Sequence, residues 1–365
     1  MKNLAVTIGR SLFSKHIAFC LYRFPGEKRL RLAIDAGYLP HQIENTCWIA
    51  PFSQHSSAKE LFLPVLNPEW INSSFIQKIE SIPPKSPFPD IPLPPASSKE
   101  DYLHKIAVFL QDIRSGVLEK AILSNVFYEE KPENFDPFYC FEGLSDSYPD
   151  TFVHLLVHPD AGIWLGASPE LLLKKKDQEV SIRAIAGTQP RSESKIYEWR
   201  TKETEEHLMV GKHIEQVFQK FDFTLIEKTA PHDVETGSVA HIATDYIYEG
   251  HKAIELKPFL RQLHPTPAVG GWPAKKGVDY ILEHEGYDRK YYCGFIGETD
   301  FEHTADLYIN IRNMQIGKEK IAILAGGGLT ADSDPEEEWQ ELMMKSKTMS
   351  EKIHSENTLQ KNGVV

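Results

Sequence analysis

The residue pattern predicts a mixed α/β (α+β) fold. Three observations lead there. Short apolar runs recur in pairs around tight turns, which reads as antiparallel hairpins. Two long stretches repeat with a 3.6-residue period, which reads as helices. The 365 residues, 41% hydrophobic and 25% charged, suffice for one large core or two closely fused ones.

The elements follow in order. Strand-like pieces occupy residues 17–23, 30–34 and 46–50. Residues 82–98 then hold seven prolines, from Pro83 to Pro95. Proline fixes φ and lacks an N–H, so this run is neither helix nor inner strand. Phe88, Ile91 and Leu93 give it packing points, and an extended surface crossing is expected. It closes an N-terminal segment of residues 1–97. Ser98 is expected to cap a helix that carries Leu103, Ile106, Leu110 and Ile113 on one face and stops at Gly116. Residues 119–127 read as a strand. Residues 152–158 and 162–166 form a hairpin that turns at Pro159-Asp160, and 171–175 with 179–185 form another. A long helix is expected over 197–221. Strands follow at 292–297, 306–316 and 320–325. The last helix starts at Pro335, capped by Asp334 with Glu337 three residues on. Residues 98–355 thus make the main body and 356–365 a polar tail.

The formal charge is −12, which opposes nonspecific nucleic-acid binding, since that runs on Lys and Arg against phosphate. An anionic substrate would have to rely on local cations. Cys20, Cys47, Cys140 and Cys293 are scattered, with no zinc spacing, so free thiols in a reducing cytoplasm are expected. The N-terminal apolar stretch at 17–22 is far shorter than the ~20 residues of a membrane span, and residues 1–10 lack the pattern of a signal peptide. A cytoplasmic protein without a membrane partner is expected.

The placement of acids is more informative. Val210, Ile214, Val217, Phe218 and Phe221 form the apolar stripe of the long helix. At 100° per residue, Glu203 and Glu206 project into that stripe. On the last helix Glu338, Glu341 and Lys345 share a face beside Leu342 and Met349. Two carboxylates ~4 Å apart repel by ~4 kcal/mol at an effective dielectric near 20. They would need protons, basic partners or a hard divalent cation, and oxygen-only ligands suit Mg²⁺. Acids answering a helix N-terminus are the plainer alternative. That covers Glu336 and Glu337, and Glu338 in part, but not Glu206.

Other signals are weaker. Residues 324–329 read as a strand entering a glycine turn, where the Gly326 backbone could approach an anion, or where the chain only turns. Gly187-Thr188 is similar. Arg312, with Tyr308 and Asn310, would lie on one face of an alternating strand, lining a cleft or a solvated edge. Lys120 stands at a strand start, Glu170 after Ser168-Pro169, and His241 among apolar neighbours.

Taken together, ordered segments resemble the chorismate-utilising family that includes isochorismate, salicylate, anthranilate and aminodeoxychorismate synthases. They are Gly166-Ala167-Ser168-Pro169-Glu170-Leu171-Leu172, Ile185-Ala186-Gly187-Thr188, Glu206-His207-Leu208-Met209-Val210 and His241-Ile242-Ala243-Thr244. Leu263-His264-Pro265-Thr266-Pro267-Ala268-Val269-Gly270-Gly271, Asp288-Arg289 and the stretch from Gly326 to Trp339 follow. The resemblance covers residues 98–351. It implies an anthranilate synthase component I-like fold, two mostly antiparallel sheets layered with helices around a cleft.

Within that family, Lys120 stands where water-adding members carry a lysine base, and Ala186 stands where aminodeoxychorismate synthases carry a nucleophilic lysine. His264 through Ala268 resembles isochorismate synthases. Gly211 and Gln189 depart from the pattern. The resemblance thus implies a chorismate isomerase with Lys120 as base and Glu170 as acid. It implies Mg²⁺ on Glu206, Glu341, Glu203 and Glu338, and substrate against Gly187, Thr188, His241, Ala268, Arg312, Gly326 and Lys345. Salicylate synthase and a catalytically inactive chorismate-binding protein are the alternatives. The product could feed menaquinone or siderophore biosynthesis. A monomer is expected.

Overall fold

Alternation along the strands organises the molecule. In Phe19–Arg23, Phe19 and Leu21 point to one core while Cys20 and Tyr22 point to another. A strand buried on both faces reads as a continuous apolar run, which is how FCLYR and FVHLLVH look. The computed structural model describes residues 4–361 apart from positions 36, 38–43, 71, 237, 238 and 251–253.

From the N-terminus come helix α1 (Leu4–Ser14), strands β1 (Phe19–Arg23), β2 (Arg31–Ile34), β3 (Thr46–Ala50) and β4 (Leu61–Pro64), and helices α2 (Ser73–Ser81) and α3 (Lys99–Arg114). Next are β5 (Ala121–Glu130), α4 (Pro137–Ser147), β6 (Phe152–His158), β7 (Gly162–Ser168), β8 (Leu171–Lys176) and β9 (Glu179–Pro190). Helix α5 (Thr201–Lys220) precedes β10 (Phe223–Lys228), β11 (His232–Thr236) and β12 (Val239–Gly250). Helices α6 (Leu256–Leu263), α7 (Pro267–Gly270) and α8 (Ala274–His284) follow. The chain closes with β13 (Phe295–Thr299), β14 (Thr304–Ile309), β15 (Asn313–Ile316), β16 (Lys320–Leu329) and α9 (Pro335–Lys361).

The strands form two sheets, both antiparallel in every described pairing, as the resemblance implied. Seven run in the order β2-β1-β6-β7-β15-β16-β5. Nine form the other, in the order β10-β12-β9-β8-β14-β13-β3-β4 with β11 also on β12. One core lies between the layers and takes in α5 and α6 through Val210, Ile214, Phe218 and Phe259. A second lies under α1, α2, α4 and the late part of α9. A third joins α3 to β5, β16 and α9. The N-terminal segment supplies β1 and β2 to one sheet and β3 and β4 to the other. The proline run is outside helix and sheet. It is tied down where Tyr128 Oη donates to Pro94 O and Lys290 Nζ to Pro92 O.

Several boundaries differ from expectation for physical reasons. The Ser98 cap forms as read, in a capping box with Asp101. The long helix starts at Thr201 rather than residue 197, because residues 192–200 are an extended loop. There Tyr197 donates to Glu235 and Trp199 to Asp233. The strand expected at 306–316 is two strands in different sheets, with Arg312 at φ 50° in the crossing. Tyr308, Asn310 and Arg312 therefore do not share one strand face. The strand expected at 292–297 starts at Phe295, after positive φ values at Lys290 and Cys293. The expected glycine turn does not exist: β16 runs through Gly326, Gly327 and Gly328 to Leu329, paired to β5 throughout. The predicted polar tail is helical as far as Lys361, and residues 362–365 lie outside the described residues.

Candidate active site

One cavity lies where β5, β9, β12 and β16 meet α5, α7 and α9. Twelve of the thirteen residues singled out from sequence line it: Lys120, Glu170, Gly187, Thr188, Glu203, Glu206, His241, Ala268, Arg312, Gly326, Glu341 and Lys345. Glu338 does not line it. Its Oε2 lies 3.2 Å from where a Cβ on cavity-lining Gly327 would sit.

Lys120 sits one residue ahead of β5, where its backbone N and O both bond Trp272 at 3.2 and 2.8 Å. The side chain is therefore buried rather than solvated, at 1% exposure. Its Nζ stands 3.0 Å from Glu206 Oε2. Helix α5 aims Glu206 inward together with Lys202, one turn earlier. Lys202 Nζ lies 4.0 Å from Glu206 Oε1 and also pairs with Glu338 Oε1, which accepts from Ser333 Oγ at 2.7 Å as well. Burial raises the Glu338 pKa, with Lys202 pulling the other way.

On α9, Lys345 Nζ pairs with Glu341 Oε1 at 2.6 Å and donates to Gly326 O at 3.0 Å. Burial works against the Glu341 carboxylate, but Lys345 and Lys202 outweigh it and hold its pKa below the usual range. Glu203 is 4% exposed. It accepts from the Arg200 N–H at 2.9 Å and from its guanidinium, so it also serves the start of α5. The helix-terminus reading therefore holds for Glu203 and not for Glu206.

The donor chemistry can be tested against a hard divalent cation. Four carboxylates from two helices offer only oxygen, and Glu338 Oε2 is buried with no hydrogen-bond partner. Both points fit Mg²⁺. Among the described residues no three acidic, histidine or cysteine groups converge as a formed centre; lysines and Arg200 hold the carboxylates.

Glu170 follows β7, where Ser168 Oγ accepts from its N–H at 3.3 Å. Burial pushes its pKa up to about 7, although Lys120, Lys345 and Arg312 pull it down. Arg312 Nη1 donates to Thr348 Oγ1 at 3.1 Å. His241 Nδ1 is 2.7 Å from Gly187 O. A carbonyl only accepts, so Nδ1 carries the proton and Nε2 is left as an acceptor. Burial lowers the His241 pKa to about 4, so the ring is neutral near pH 7.

The three glycines of β16 act by their size. A Cβ on Gly326 would lie 2.8 Å from Tyr292 Oη, and one on Gly328 would lie 2.8 Å from Lys120 Cε and 2.9 Å from Glu206 Oε2. Gly187, at φ 71°, similarly meets Glu203 at 2.9 Å. Sequence reasoning missed Lys202 and Tyr292, which also line the cavity. The i, i+4 spacing of Lys202 and Glu206 was the available signal.

The chorismate binding enzyme family matches residues 64–354. The chain is 28% identical over 267 residues to "Salicylate biosynthesis isochorismate synthase" of Pseudomonas aeruginosa, covering 71% of this chain and 56% of that protein. It is 27% identical over 240 residues to isochorismate synthase EntC of Escherichia coli, covering 64% and 61%. The chain thus spans less than two thirds of the length of these relatives. Its fold matches the structure of MenF, the menaquinone-specific isochorismate synthase from Escherichia coli, with a TM-score of 0.78 at 19% identity, covering 97% and 91%. It also matches anthranilate synthase component I from Streptococcus pneumoniae, with a TM-score of 0.68 at 19% identity, covering 91% and 90%. A family match over residues 64–354 settles one statement: the chain belongs to the chorismate binding enzyme family.

Proposed function

We propose that the protein is a Mg²⁺-dependent isochorismate synthase. It converts chorismate to isochorismate by adding water at C2 and expelling the C4 hydroxyl. The observation that carries this reading is that Lys120 and Glu170 line one cavity with cations that a dianion would need and carboxylates that a divalent cation would need.

Lys120, acting as the neutral amine, takes a proton from the attacking water as the water oxygen bonds C2. The ring double bonds shift, and the C4–O bond breaks. Glu170 gives the departing oxygen its proton, so water is consumed and released in equal number. A carboxyl with a pKa near 7 can do this where an ordinary one is already ionised. Arg312 and Lys345 hold the enolpyruvyl carboxylate, and Gly187 and Thr188 face the ring carboxylate. His241 fixes that backbone through Gly187 O, so its part is positioning rather than donation. Mg²⁺, held by Glu206 and Glu341 with Glu203 and Glu338 behind them, would bind the ring carboxylate and withdraw electron density.

The test is chorismate with purified protein and Mg²⁺, with and without EDTA, products separated by chromatography. Isochorismate alone, lost with EDTA, is the expected result. Salicylate plus pyruvate would move the protein to the bifunctional synthases. Unreacted chorismate throughout would overturn the reading in favour of a binding protein.

A further inference from the structure

The four carboxylates that the active-site cavity offers to a divalent ion are matched by four side-chain cations. Lys120 Nζ stands 3.0 Å from Glu206 Oε2, Arg200 Nη2 2.7 Å from Glu203 Oε1 and Lys345 Nζ 2.6 Å from Glu341 Oε1. The fourth, Lys202, is placed differently. It pairs with Glu338 Oε1 on α9 and lies 4.0 Å from Glu206 Oε1 on its own helix. Among the described residues it is the one cation in ion-pair reach of two of the four acids, and they come from different helices. Its charge also helps to hold the Glu341 carboxylate ionised. Lys202 thus places a positive charge among three of the acids expected to take a divalent ion.

The other three cations have further ties. Lys120 is enclosed, and Trp272 fixes its backbone at both N and O. Lys345 also donates to Gly326 O, and Arg200 to Glu337 Oε2. The Lys202 ammonium contacts only carboxylates among the described residues. Its side chain is 15% exposed against 2% for that of Lys120, so it has a route to water. A lysine is a compact charge on a flexible four-carbon stem, and it can leave a contact by rotation alone. Glu338 is held on one side only: Oε1 accepts from Lys202 and Ser333, while Oε2 is buried without a hydrogen-bond partner.

We propose that Lys202 is a displaceable counter-ion, which neutralises the carboxylates between α5 and α9 and swings out when Mg²⁺ binds them. The inference rests on the Mg²⁺ reading above. An ammonium and a divalent cation repel at such short range, so the two do not share Glu206 and Glu338. Mg²⁺ therefore binds only the fraction of molecules in which Lys202 has let go, and its apparent affinity is lowered by that fraction. Lys202 in turn keeps the buried Glu338 carboxylate from standing alone, a state that costs a folded protein dearly. The residue trades metal affinity for a stable metal-free fold.

Calorimetry on the full chain with Mg²⁺ alone, without chorismate, tests it. Lys202→Met keeps the apolar stem and removes the charge. The variant should bind Mg²⁺ about tenfold or more tightly than the wild type. In EDTA its melting temperature should fall, and Mg²⁺ should raise it by more than it raises that of the wild type. Equal or weaker Mg²⁺ binding by the variant overturns the proposal and leaves the proposed function standing. No Mg²⁺ binding by either protein overturns it too and, if EDTA also leaves turnover intact, removes the metal from the proposed function. Loss of a charge alone also tightens cation binding, so displacement is read separately. The wild type is acetylated with and without Mg²⁺, and Lys202 is followed by peptide mass spectrometry against the exposed Lys275. Lys202 should be labelled several-fold faster with Mg²⁺. Equal labelling overturns the displacement, and this measurement decides the matter if Lys202→Met does not fold.

Discussion

At the scale of single residues, Glu170 makes the sharpest claim. An ordinary glutamic acid, with a pKa of ~4.3, is ionised at pH 7, but burial brings this one to about 7. A general acid acts only in its protonated form, present below that value. Turnover should therefore fall as pH rises through about 7. Glu170→Gln should lower kcat ~10²-fold and remove that limb of the pH–rate profile. A mutant that keeps the limb would assign it to another group. Lys120→Ala should also cost ~10²-fold in kcat, with KM for chorismate little changed; near-normal turnover would refute the base. Glu170 was legible because it sits in a short ordered segment of the sequence, and Lys120 because it stands at the start of a strand where the resemblance implies a lysine. Lys202 was not, since a lysine on a helix normally faces solvent. Only the fold shows that its turn of α5 faces Glu338 across the site.

At the scale of elements, the glycines of β16 correct a local reading. Three glycines after an apolar run suggest a turn, yet ten residues of β16 stay in register with β5. Pairing with a strand some two hundred positions away is not a local property, so no window of sequence could reveal it. The glycines matter for what stands over them. Gly328→Ala would place a methyl 2.9 Å from Glu206 Oε2 and 2.8 Å from Lys120 Cε. It should cut kcat about tenfold or more, with a much smaller change in melting temperature. A variant with normal kcat would mean that neither side chain needs its present position. Helix starts were read well where a cap residue marks them. Asp334 Oδ1 accepts from the N–H groups of Glu336 and Glu337, and Asp334→Ala should cost ~1 kcal/mol in chemical unfolding. The start of α5 was misread because Arg200, not a Ser, Thr, Asp or Asn, precedes it.

At the scale of the whole molecule, a buried ion pair joins parts that never adjoin in sequence. Glu285 and Arg289 are almost wholly enclosed, with side chains 0% and 1% exposed. Ser124 donates to Glu285, while Arg289 donates to Ile122 O and Val269 O. The pair ties β5, which follows Lys120, to α7 and the end of α8. Arg289→Met leaves a buried carboxylate alone and should lower unfolding stability by ~3–5 kcal/mol in urea titration. A loss below ~1 kcal/mol would mean that the carboxylate finds another partner or a proton. The sequence showed two of the hairpins, but not the pairings between strands far apart in the chain, such as β1 with β6 or β5 with β16. The clearest case is the crossing at Ile309–Asn313, where the chain leaves one sheet at β14 and enters the other at β15. Arg312 stands in that crossing, and its carbonyl accepts from Ala167 of β7. A side chain rooted at such a suture answers to both layers at once. If the layers slid past each other, the guanidinium would move with the seam, so this anchor cannot be retuned by exchanging a surface loop. Novel pocket shapes in descendants of this chain should therefore arise at α5, α7 or α9, and the seam should be inherited whole.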